Sequence, residues 1–257
     1  MTVVVIVVLL GAAIFYGAYL LLKRTEPFAL GEHCIVKTTD GTLDIDIEQA
    51  QVAATIAAVA VRRKLPERAL QIAYVTAIQE SKLANLPYGD RDSVGVFQQR
   101  PSQGWGTVEQ LQDPVYATRK FFSALEKVRH YKTLPLHEAA QAVQRSADGS
   151  AYAEHEYDAK ILSAAFSGRV PQAVHCWYPP SDKPAAPQPE VARKQLVRAL
   201  GTDSAPKRGW LVAAWYVAHA QKYHLRQVRF EGVTWTAASG HDGWRKNAKP
   251  VATVQIA

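Results

Sequence analysis

The sequence predicts a mostly α chain in three parts: an apolar N-terminal helix, an α-helical domain, and a small α+β module at the C-terminal end. Three observations carry that reading. Residues 3–22 contain no charged side chain. Between Asp46 and Phe166 apolar residues recur at helical spacing, without sustained alternation. A proline-rich stretch at 178–189 then separates two segments of different charge. The 257 residues leave room for a membrane segment, one sizeable domain and a small second one. A hydrophobic fraction of 48% and a charged fraction of 21% exclude a disordered chain.

The first element is "VVVIVVLLGAAIFYGAYLLL", residues 3–22. At about 1.5 Å per residue a helix of this length spans roughly 30 Å, the thickness of a bilayer's hydrocarbon core. A secretory signal peptide is the competing reading, but it needs a basic n-region, a shorter apolar run and a small-residue cleavage site. The segment is therefore read as a single-pass anchor in the cell membrane. Lys23 and Arg24 follow it, and the positive-inside rule would hold them in the cytoplasm. The remaining sequence favours a domain on the extracellular side. Either two charges are too few to orient the chain or a basic stretch precedes residue 1.

Residues 23–45 read as a tether and an irregular lead-in. A helix starts near Asp46, with Val52, Ile56, Val59 and Ala60 on one stripe, and stops at "RRKLPER". Pro66 suits the first turn of the next helix, over Glu67 to Leu83. Past its first turn only Gln71, Thr76 and Gln79 are polar before Glu80, so this helix should be buried all round. Asp113 caps a third helix with Pro114 at its first position. "PLHEAAQAV" and "AYAEHEYDAKILSAAF" read as two more, with His155 on an apolar stripe as a core histidine. The helical domain is bounded at 31–178, and 179–190 is a stiff proline-rich linker. Residues 191–257 then give a short helix ended by Gly201, a longer helix over "GWLVAAWYVAHAQKYHL", a hairpin turning at Glu231-Gly232 and a last strand in "VATVQIA". This module holds eleven Lys/Arg against three Asp/Glu, a net +8, whereas the first 190 residues are close to neutral. Its four tryptophans, Trp210, Trp215, Trp235 and Trp244, form a small core beneath that basic face. An extracellular placement would make anionic wall polymers or lipid head groups the available partners, not nucleic acid.

The chain has two cysteines, Cys34 and Cys176, each preceded by a histidine. A pair at the two ends of one domain suits a closing disulfide, which belongs to an oxidising compartment. Across 142 residues the loop-entropy model gives it up to about 5 kcal/mol. A site of two Cys and two His for zinc is the rival, but the short C-x-x-C spacing of zinc modules is missing. Free thiols are the remaining alternative.

The segment "AIQESKLANLPYGDRDSVGVFQQRPSQGWG", residues 77–106, carries the chemistry. Glu80 closes the apolar helix at the edge of its buried face. Partial desolvation favours the neutral, proton-donating form of a carboxyl, which is what cleavage of a glycosidic bond requires. A helix-end glutamate paired with Lys82 or Arg91 is the alternative. Asp90 and Asp92 flank Arg91 in a turn held by local ion pairs.

From Glu80, the offsets +15 to +18 are Gly95-Val96-Phe97-Gln98, and +21 is Pro101. This pattern resembles the lytic transglycosylase and goose-type lysozyme superfamily, whose motif runs Glu-Ser, a short loop, Gly-Leu-Met-Gln, then Pro. It covers about 22 residues closely. "QESKL" with "YGDRDS" and "FQQRPSQGWG" is also similar to bacterial membrane-anchored proteins with a lysozyme-like domain. The resemblance implies a lysozyme-like fold over 31–178, peptidoglycan glycan strands as substrate, and no cofactor or metal. It implies Glu80 as the catalytic acid and base, which protonates the leaving oxygen and then helps the sugar's own 6-hydroxyl close a 1,6-anhydro ring. Ser81, Gly95 and Gln98 match the family's positions. Around them Tyr88, Phe97 and Trp105 either offer flat surfaces for pyranose faces or pack into the core, and Gln99 and Ser93 offer polar contacts. The family's downstream Tyr-Asn is Val143-Gln144 here, so Gln144 replaces the amide and nothing replaces the tyrosine hydroxyl. A glycan-binding scaffold without turnover is the alternative to an enzyme. A metal-handling membrane protein built on the His-Cys pairs is the third reading.

Overall fold

In the computed structural model, residues 31–145, 150–179, 181, 183–237, 243–247 and 249–257 are described. The expected transmembrane segment, 3–22, lies outside them. Among the described residues no helix is long and apolar enough to cross a membrane. The described residues therefore give the placement as a single-pass membrane protein with an extracellular domain no support.

The described chain starts with a strand, where a tether was expected. β1 (His33–Lys37) pairs antiparallel with β2 (Thr42–Ile45) on one side and with β3 (Val174–Trp177) on the other. The order is β2-β1-β3. Cys34 stands directly opposite Cys176 in the β1–β3 register, and their sulfurs form a disulfide. The zinc and free-thiol readings fall with that bond. Both residues are buried, so the link sits inside the sheet's packed face.

α1 (Ile47–Arg62) begins after Asp46, whose backbone N–H donates to the Gln49 side chain at 2.8 Å. Its run of alanines and valines is buried on nearly every side, which makes it the central rod of the core. α2 (Glu67–Ser81) follows Pro66, which stands just before the helix and not inside its first turn. α3 (Val108–Leu111) leads to α4 (Pro114–Leu125), where the Asp113 side chain accepts the Val115 N–H at 3.1 Å, as its sequence signal predicts. α5 (Leu136–Gln144) comes next. The segment expected to be one helix is a 3₁₀ stretch, Ser150–His155, followed by α6 (Glu156–Phe166).

Beyond β3 the chain forms α7 (Pro189–Leu200), α8 (Gly209–Ala218) and a second antiparallel sheet. Its strands are β4 (Gln227–Phe230), β5 (Val233–Thr236), β6 (Trp244–Lys246) and β7 (Gln255–Ile256), in the order β6-β5-β4-β7. The β4–β5 hairpin turns at Glu231 and Gly232, both at positive φ, the geometry that matches strand twist.

Residues 32–257 form one compact unit. α8 has no polar face, and Trp210 through Ala218 are all buried, against α1, α6 and β3. The Arg62 guanidinium donates to the Arg198 carbonyl at 2.7 Å, and Arg198 pairs with Asp113. The Trp235 indole N–H donates to the Cys176 carbonyl at 3.2 Å, and that of Trp244 to Val174 at 2.9 Å. Two tryptophans thus fasten the C-terminal sheet to the strand that carries the disulfide. A buried tryptophan removes roughly 150–250 Å² from water, about 4–6 kcal/mol gross, so Trp235 alone is a major contact.

The prediction of a mostly α, lysozyme-like domain with a small appended α+β module is corrected. The protein has a mixed α+β fold: eight α-helices and two antiparallel sheets among the described residues. The first sheet escaped detection because its strands are four or five residues long and its outer partner, β3, lies far along the chain.

Candidate functional site

Glu80 lies one residue from the end of α2, half-buried at the edge of the core. The helix stops there because Lys82 and Leu83 both take the left-handed conformation, at φ 54° and 61°. Their N–H groups return to the Ile78 and Ala77 carbonyls at 2.9 and 3.0 Å, and Leu83 turns inward as the buried stop. Ser81 is buried, and its hydroxyl donates to the Val96 carbonyl at 2.7 Å. That bond ties the loop 88–99 to the helix end beside Glu80.

The loop is built from its own polar groups. Gly95 sits at φ 80°, and a Cβ there would strike the Leu111 carbonyl, so the position admits only glycine. Its N–H donates to Leu86 O at 2.7 Å. The Gln98 amide donates to the Gly95 and Tyr88 carbonyls at 3.1 and 3.3 Å. Gln99 is buried and donates to Ala117 O at 3.3 Å. The Gln144 amide donates to Phe97 O at 2.8 Å. Ser93 is buried in the same turn. The Phe97 ring is fully buried and stacked on Phe121 at 4.5 Å, so it presents no face to a sugar. Of the aromatic residues predicted to bind, Tyr88 is 69% exposed and Trp105 is half-buried. Trp105 lines a different groove, together with Gln144.

The Asp90–Asp92 turn is held by local ion pairs, as the sequence suggested, Asp90 with Arg91 and Asp92 with Arg100. Asp92 accepts from the Ser102 N–H and the Arg100 guanidinium, both at 2.7 Å. These bonds hold its carboxyl well below the usual carboxylate range. Asp90 lies 3.8 Å from Arg91 in a highly exposed pair.

The group that sequence reasoning missed is Tyr152. It sits in the 3₁₀ stretch, 1% exposed, and its hydroxyl donates to Glu80 Oε1 at 2.6 Å. Glu80 forms no ion pair among the described residues, so the reading as a glutamate paired with Lys82 or Arg91 is corrected. A tyrosine hydroxyl thus stands on Glu80 from a position eight residues beyond Gln144. Only a search for a hydroxyl near Glu80 could have pointed to it, because helical periodicity gives Tyr152 no distinct place. His155 is no core histidine: its Nε2 lies 2.8 Å from Gln79 Oε1, beside the site.

Glu80 opens onto a groove of about 440 Å³ that Asp46, Glu48, Gln49 and Lys82 also line. Glu48 accepts the Asn85 N–H at 2.9 Å, and the Gln49 amide donates to the Lys82 carbonyl at 2.7 Å. Of the three carboxyls that line the groove, Asp46, Glu48 and Glu80, Glu80 is the one oriented by a phenol. Among the described residues no group of three or more His, Cys, Asp or Glu side chains could hold a metal ion. No family model matches the chain, and no curated protein matches it.

Proposed function

We propose that the protein is a glycosidase of the lytic transglycosylase type that cleaves peptidoglycan glycan strands, with Glu80 as its single acid and base. The observation that carries the reading is the Tyr152 hydroxyl on Glu80 Oε1 at 2.6 Å, on a carboxyl that no cation neutralises. The resemblance of residues 80–101 to that family's motif supports the substrate class. In the step proposed, Glu80 Oε2–H protonates the leaving glycosidic oxygen and the bond to the anomeric carbon breaks. The sugar's 6-hydroxyl then bonds to that carbon and passes its proton to the Glu80 carboxylate, which restores the acid and yields a 1,6-anhydro end. Gln98 and Gln99 act by holding the loop in place, and the Gln144 amide N–H binds the same loop at Phe97 O.

A non-catalytic glycan-binding scaffold is the second reading. It is favoured by the 69% exposed Tyr88 and the half-buried Trp105, flat surfaces that can hold a sugar ring without turnover. Purified peptidoglycan digested with the full chain separates the two. Under the first reading soluble fragments with anhydro ends appear, and Glu80→Gln lowers their release by about 10²–10⁴. Release by Glu80→Gln at the parent rate would remove Glu80 from the chemistry. Binding to peptidoglycan with no release by either protein would establish the scaffold.

A further inference from the structure

We propose that the groove between α4 and the end of α5 binds an anionic carbohydrate. It is a space of about 810 Å³, larger than the groove at Glu80. Four cations line it: Lys120 on α4, Lys127 and Arg129 just after that helix, and Arg145 at the end of α5. Among the described residues no acidic side chain lines it. None of the four joins an ion pair among the described residues, whose pairs use other cations. Like charges gathered round one cavity repel each other, and an anion placed among them relieves that repulsion.

Two further groups say what kind of anion. Trp105 presents a half-buried indole in the groove, a flat apolar surface of the sort that packs against a pyranose face. Gln144 donates to Phe97 O, which leaves its amide oxygen as an acceptor for a hydroxyl. A ring to stack, a hydroxyl to accept and negative charge to neutralise describe an acidic sugar, for which a uronic acid oligomer is the probe. These cations come from 120–145, not from the basic residues 191–257 where the sequence placed the anion contact. In the latter segment Arg193 and Arg198 already hold Glu190 and Asp113.

The proposal needs no turnover at Glu80. Full chain is titrated with three probes: a galacturonate hexamer, an N-acetylglucosamine hexamer and inorganic polyphosphate. The galacturonate should bind most tightly and weaken as salt shortens the screening length below about 8 Å. Lys127→Ala, Arg129→Ala and Arg145→Ala should each weaken it by about twofold to fivefold, and Trp105→Ala by at least as much. Lys37→Ala, an exposed cation elsewhere, and Glu80→Gln should leave it unchanged. Equal binding of the neutral hexamer, or groove variants that bind like the parent, would overturn the proposal. Polyphosphate bound as tightly as galacturonate, and indifferent to Trp105→Ala, would overturn the carbohydrate assignment in favour of a phosphate polymer. Loss of peptidoglycan cleavage in Glu80→Gln with galacturonate binding intact shows that the two sites stand or fall separately.

Discussion

Replacing Tyr152 by phenylalanine removes one atom and tests the proposed chemistry. The ring is 1% exposed and would remain packed, so the variant should fold, at a stability cost of about 1 kcal/mol for one hydrogen bond. The lost bond is a phenol on a carboxyl at 2.6 Å. Hydrogen bonds to charged groups contribute roughly 1.5–3 kcal/mol. If the bond holds the carboxyl in register through the transition state, kcat should fall by about 10- to 150-fold, with KM within about twofold. The assay is release of soluble fragments from purified peptidoglycan, with kcat and KM measured separately. Because Tyr152 acts only through Glu80, adding Tyr152→Phe to Glu80→Gln should cost nothing further. Parent kcat in Tyr152→Phe, or fully additive losses in the double variant, would refute the assignment of Tyr152 as the residue that positions Glu80.

Three further perturbations address the frame that holds the site. Converting Cys34 and Cys176 together to alanine should lower stability by about 3–5 kcal/mol, read by urea unfolding, with no further loss on adding reductant. Gly95→Ala places a Cβ against the Leu111 carbonyl at φ 80° and should cost more than about 1 kcal/mol, with activity falling with it. Burial pushes His219 down to about 3, with its Nδ1–H on the Trp215 carbonyl at 2.8 Å and its ring stacked on Trp215. The unfolded histidine, near 6.5, binds a proton that the folded one refuses, so stability should be full above pH 6.5 and decline towards pH 3, by on the order of 4 kcal/mol. Unfolding free energies that stay flat between pH 6.5 and 4.5, or a decline that persists in His219→Phe, would show that another group drives it.

Local signals decided what was legible in the sequence. Asp113-Pro114, Asp46 and Glu231-Gly232 each mark an element end through chemistry contained within four residues, and each end lies where that chemistry places it. The β1–β3 pairing has no local signature, and the two cysteines were its only trace. The proline-rich stretch suggested a separate tail module, yet "GWLVAAWYVA" carries no polar residue at all. A helix that is apolar all round needs neighbours on all sides, and α8 finds them in α1, α6 and β3.

The same distinction divides the site. Glu80 was legible because a motif at fixed spacing surrounds it, but that motif says only that certain side chains are present. A glutamine that holds a loop and one that holds a sugar are identical in sequence. The difference lies in which carbonyls are left unpaired, and the tight turns at Gly95 and Gln98 leave Gly95 O, Tyr88 O and Phe97 O for amides to satisfy. Tyr152 was hidden for the converse reason. Its position beside Glu80 depends on a 3₁₀ stretch that a helical reading rotates out of place, so the most direct contact to the candidate acid came from a residue with no signal of its own.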